Sequence, residues 1–74
     1  MSKKRFVEFY LAACMKAATS GRVTRLIYTY TPEASTMPDQ ETIAIYFDVG
    51  SCLPVIVTGK DLLEISKAVL GALV

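Results

Sequence analysis

Histidine and tryptophan are absent from this chain, and cysteine occurs only at Cys14 and Cys52. Without histidine, the usual general base at neutral pH and the commonest metal ligand are both missing. Two isolated cysteines have no zinc-site spacing, and neither has a histidine to activate it as a nucleophile. Long apolar runs are missing too. No stretch approaches the ~20 apolar residues of a membrane span. Lys3-Lys4-Arg5 followed by apolar residues imitates the opening of an export signal, but Glu8 interrupts the run and Lys16 follows closely, whereas such a signal needs ~7–15 apolar residues. These absences lead us to expect a cytoplasmic, non-enzymatic protein with reduced thiols, no cofactor, no metal and no membrane association.

Gly59-Lys60 resembles the end of a phosphate-binding loop, but the first glycine of that pattern falls on Pro54 and Asp61 replaces the magnesium-binding Ser or Thr. Asp61 also sets a negative charge where an anion would sit. The acid pairs Asp39/Glu41 and Asp61/Glu64 read as a polar loop and a helix start rather than as acid–base machinery.

What the chain does contain is apolar surface. Its 74 residues make one small domain, residues 1–74, and 53% of them are hydrophobic. A domain of this size buries only about 60% of the surface its unfolded chain exposes. Association is therefore the expected source of extra stability, and a homodimer the expected form. Charge is segregated along the chain: six cations stand against Glu8 alone up to Arg25, and two against six acids thereafter. Such asymmetry marks a basic binding face or a dipolar molecule.

Residues 4–19 read as a helix with Ser2 as its N-cap, and Lys3, Lys4 and Arg5 load its first turn against the helix dipole. Arg5, Glu8, Ala12 and Lys16 form a narrow stripe on it. Opposite that stripe lie Phe6, Tyr10, Cys14 and Ala17, with Phe9 at one edge of the apolar arc and Leu11 and Met15 at the other. So wide an arc predicts a second contact beyond the domain's own sheet. Cys14 is expected in the core. Gly21 is placed to end the helix in a left-handed conformation.

Residues 22–31, rich in β-branched and aromatic side chains, predict a strand. Residues 32–41 form a polar loop longer than the usual ~4–6 residues. Strands over 42–48 and 52–58 flank Asp48-Val49-Gly50-Ser51, a hairpin signal. Pro54 cannot donate to a ladder and so belongs on an edge strand. Residues 60–73 read as the last helix, with Thr58 as its N-cap and Asp61 in its first turn.

The expected architecture is thus α+β in the order α-β-β-β-α. It consists of a three-stranded antiparallel sheet with two helices packed mainly on one face. If Ile43, Ile45, Phe47, Leu53, Val55 and Val57 meet the helices, the opposite face carries Ala44, Tyr46 and Ile56. Depending on register it also carries Leu26, Tyr28 and Tyr30. A helix on each side would make all of these ordinary core. Left bare, they favour a protein interface. The candidate partner-binding residues are Tyr28, Tyr30, Tyr46, Ile56, Phe9 and Met15, serving an inhibitor or accessory protein. The alternative is a nucleic-acid surface in which Lys3, Lys4, Arg5, Arg22 and Arg25 hold phosphates and the tyrosines stack bases.

Overall fold

A computed structural model describes all 74 residues. The N-terminal helix runs from Lys3 to Ala18 in three continuous stretches: Lys3–Arg5 and Ala12–Ala18 are α-helical, and Phe6–Leu11 between them is π-helical. Strands β1 (Val23–Thr31), β2 (Gln40–Phe47) and β3 (Cys52–Ile56) follow, and then a C-terminal helix, Leu62–Leu73. The strands form an antiparallel sheet in the order β1-β2-β3. Both helices cover one face of it, as expected.

Ser2 caps the first helix, its Oγ accepting from the Arg5 N–H at 3.1 Å. Four apart, Val7 and Leu11 stack on one side of the helix. Those two residues and Met15 are the buried positions of the helix. The inward face is therefore centred on Val7, Leu11 and Met15, the last two of which the periodicity placed at an edge. Tyr10 and Cys14, expected inside, are exposed. The helix ends as predicted around Gly21, whose φ is +84° and whose N–H donates to the Lys16 carbonyl at 2.8 Å.

The C-terminal helix starts at Asp61, not at Thr58. Asp61 accepts from the Glu64 N–H at 2.8 Å, and Glu64 accepts in return from the Asp61 N–H at 3.0 Å. This reciprocal pair satisfies two of the donors a helix start leaves open. Thr58 is employed elsewhere: its hydroxyl accepts from the Glu41 N–H at 3.0 Å.

The core lies between the sheet and the two helices. It consists of Val7, Leu11, Met15, Val23, Leu26, Ile43, Ile45, Val57, Ile65 and Val69. Val23 and Leu26 both belong to it although they are three positions apart, which strict alternation forbids. A β-bulge explains this. Val23 pairs with Phe47 and Arg25 with Tyr46, leaving Thr24 as an extra residue, and beyond it the faces of β1 exchange. Leu26, Tyr28 and Tyr30 consequently share the helix-covered face with Ile45, Ile43 and Glu41, their partners across the strands.

Candidate functional site

The bulge leaves a well-defined surface on the other side of the sheet. Across the three strands, Arg25 aligns with Tyr46 and Cys52, Ile27 with Ala44 and Pro54, and Thr29 with Thr42 and Ile56. No element covers this face. None of these nine residues is buried, and Ile56 is 61% exposed. Arg25 is the only charged member, and its guanidinium lies 4.6 Å from the centre of the Tyr46 ring, a cation–π arrangement. Apolar side chains and an arginine stacked on tyrosine are the kind of groups protein interfaces enrich.

Each edge of the sheet has one backbone donor withdrawn from strand addition. On β1, the Tyr28 N–H donates at 3.0 Å to Glu8 Oε2 of the N-terminal helix. On β3, Val57 donates to the Glu41 carbonyl and Phe47 to the Ser51 carbonyl, so Pro54 falls in the alternate set that faces outward. It has no N–H there to offer an incoming strand.

A second constellation lies on the helix side. Glu41 was expected in the polar loop, but β2 begins at Gln40 and its carboxylate is only 8% exposed. Lys3 Nζ reaches its two oxygens at 3.1 and 2.9 Å. The Gly59 N–H donates to Oε1 at 2.9 Å, and the Tyr28 hydroxyl donates to Oε2. Hydrogen bonds from Tyr28, Gly59 and Lys3 hold the Glu41 carboxyl down at about 2. Tyr28 moves the opposite way, pushed up to about 12 by burial and by the carboxylate beside it. Buried charge is tolerated when paired and hydrogen-bonded in this way. The cluster fastens the start of the N-terminal helix, β1 and the turn before the C-terminal helix to one strand.

The predicted site residues therefore separate. Tyr46 and Ile56 lie together on the open face. Phe9, 67% exposed, and Tyr10, 53% exposed, occupy the outer side of the N-terminal helix. Tyr30 is exposed on the helix side of the sheet, its hydroxyl 3.4 Å from Asp39. Two residues expected at a partner surface are corrected by their surroundings: Met15 is 5% exposed within the core, and Tyr28 is half-buried against Glu41.

The basic residues do not converge either. Lys3 is held by Glu41 and Lys4 by Glu8 at 2.9 Å. Arg5 lies over Phe9, and Arg22 donates to the Thr19 carbonyl at 3.3 Å. Arg25 alone joins the open face. The signals for the Glu41 cluster were present but scattered, since a carboxylate next to a strand gives no warning that a lysine 38 positions away will meet it.

Cys14 and Cys52 are both free and exposed, which corrects the core placement of Cys14. No three Cys, Asp or Glu side chains gather in a metal-binding arrangement. No helix is long and apolar enough to cross a membrane. Comparison with protein-family models, curated proteins and solved structures finds no match to this chain.

Proposed function

We propose that this protein is a small non-enzymatic interaction module that binds a larger macromolecular partner through its open sheet face, acting as an inhibitor or accessory subunit. The observation that carries this reading is the uncovered face itself, with Ile27, Tyr46, Pro54 and Ile56 contiguous and outward. A solvated sheet face ordinarily alternates to polar side chains. The only strongly lowered carboxyl, Glu41, is locked near 2 by three donors, far from the value that suits a general base at neutral pH. That supports binding over catalysis.

Affinity capture from the native cell tests the proposal. Wild-type protein is expected to retain a stoichiometric partner, and Ile56→Asp, which places a charge on the most exposed apolar part of the face without touching the core, is expected to lose it. Equal capture by the two refutes the sheet face as the docking surface.

Phe9 and Tyr10 beside the small Ala13 on the outer helix favour self-association as well. Sedimentation velocity is then expected to give a concentration-dependent dimer that Phe9→Asp returns to monomer. A monomer at all concentrations removes that part of the reading.

A further inference from the structure

The open face carries a chemical preference that can be read from its charges. It has one cation, Arg25, and no carboxylate among the nine residues that line it. Stacking on Tyr46 at 4.6 Å fixes the plane of the guanidinium and leaves N–H groups at its rim directed away from the ring. A guanidinium held in this way is prepared for bidentate pairing with a carboxylate. Beside it, Ile27, Pro54 and Ile56 form the apolar remainder.

A second copy of the chain does not supply the missing acid. Two such faces related by a two-fold axis along the strands set Arg25 opposite Cys52, and an axis across the strands sets it opposite Thr29. Either arrangement covers a cation with no counter-charge. The area argues the same way. Three strands ~4.8 Å apart and about six residues long project roughly 300 Å², well below the ~800 Å² per partner of a standard interface. The width, about 14 Å, suits one helix with its ~10–12 Å diameter. Nucleic acid is disfavoured because Lys3 and Lys4, the nearest thing to a phosphate-binding cluster, are paired with Glu41 and Glu8.

Resting on the interaction reading above, we propose that the open face receives a single apolar segment of a protein partner that carries a carboxylate directed at Arg25. One donor on each sheet edge, at Tyr28 and at Pro54, is withdrawn from strand pairing, which favours a segment lying across the face over one added as a strand. Arg25, with Tyr46 and Ile27 beside it, is the specificity-determining contact, and Pro54 and Ile56 extend the apolar surface away from it.

The test is selection of a phage-displayed library of random twelve-residue peptides on the immobilised protein. Affinities of the enriched peptides for wild type, Arg25→Gln and Ile56→Asp are then measured, with circular dichroism confirming that both variants remain folded. The expected result is enrichment of an Asp or Glu within an apolar sequence. Such peptides bind Arg25→Gln about tenfold more weakly or worse, as loss of a charge-assisted pair implies, and do not bind Ile56→Asp. Peptides that lack an acid, or that ignore Arg25→Gln while still losing affinity for Ile56→Asp, overturn this proposal and leave the docking face in place. Peptides indifferent to both variants, or a library that yields no binder, overturn the docking face itself. A single-stranded oligothymidylate bound through Arg25 and Tyr46 at low salt, in a manner that weakens steeply as salt rises, replaces the protein segment with nucleic acid.

Discussion

Replacing Glu41 with Gln tests the buried cluster most directly. The wild-type carboxylate accepts from Lys3, Tyr28 and Gly59. A glutamine carbonyl can keep the Gly59 N–H, but its amide then presents donors to the Lys3 ammonium, and the ion pair is gone. Lowering a carboxyl from 4.5 to about 2 corresponds to about 3 kcal/mol of folding stability at neutral pH, at ~1.4 kcal/mol per pH unit. Truncating a fully buried pair costs ~3–5 kcal/mol. The lysine side chain is a third exposed and can turn to water when released, which places the expected loss at about 2–3 kcal/mol. For a domain at the lower end of the ~5–15 kcal/mol range, with a urea slope near 1 kcal/mol per molar, the unfolding midpoint falls by roughly 2 M.

The pH profile separates this account from a simple packing defect. Because the folded-state value is depressed, Glu41 contributes its full stabilisation above about 4.5 and loses it as pH falls towards 2. Wild type and Glu41→Gln should therefore differ most at pH 7 and converge as the pH approaches 2. Glu8, also lowered, chiefly by its hydrogen bond from Lys4, remains in both proteins and cancels from the difference. Urea melts at half-unit pH steps, followed by circular dichroism, make the measurement. A variant within about 0.5 kcal/mol of wild type at pH 7, or an offset that does not change with pH, would refute the assignment.

Two further changes probe neighbouring parts of the scaffold. Tyr28→Phe keeps the ring but removes a donor to a buried carboxylate, so it should cost about 1–2 kcal/mol at pH 7 in the same urea assay. Wild type should also lose stability between pH 10 and about 12, the tyrosine being held neutral in the folded state up to about 12; the variant should lack the part of that loss due to Tyr28. Asp61→Ala removes the cap of the C-terminal helix and should cost ~0.5–2 kcal/mol with little change in helical signal at pH 7. A loss below about 0.3 kcal/mol would show that the capping pair does not hold in solution.

Element order, the hairpin, the helix stop at Gly21 and the edge placement of Pro54 were legible because each rests on local chemistry. Pro54 lacks a donor wherever it sits, and Gly21 takes a positive φ that other residues resist. The sheet faces were not legible beyond Thr24. A single extra residue in β1 turns Leu26 and Tyr28 inward, and no feature of the run from Arg22 to Thr31 distinguishes a bulged strand from a regular one. The inward face of the first helix was misplaced for a different reason: its centre was set opposite the stripe of Arg5, Glu8, Ala12 and Lys16, but Glu8 reaches in to the Tyr28 N–H and Ala12 is half-buried, which turns Val7, Leu11 and Met15 inward. Glu41 was misread because its neighbours Asp39 and Gln40 are polar, while the partners that justify its burial, Lys3, Tyr28 and Gly59, come from three other parts of the chain.

These departures decide which apolar side chains are left exposed. Only ten hydrophobic side chains are buried, in a chain that is 53% hydrophobic. Scattered exposed apolar residues are ordinary and carry no inference. Here the bulge gathers Ile27 beside Ala44, Pro54 and Ile56 on one bare face, and sends Tyr28 and Tyr30 to the helix side. What remains is a smaller and more apolar surface than a face with three tyrosines, with Arg25 stacked on Tyr46 at its end. Had β1 run without Thr24 as its extra residue, Leu26 would lie on the open face and Arg25 against the core, leaving a cation to be buried and no charge to orient a partner. The bulge therefore does two things at once: it completes the core with Leu26 and sets Arg25 outward, stacked on Tyr46.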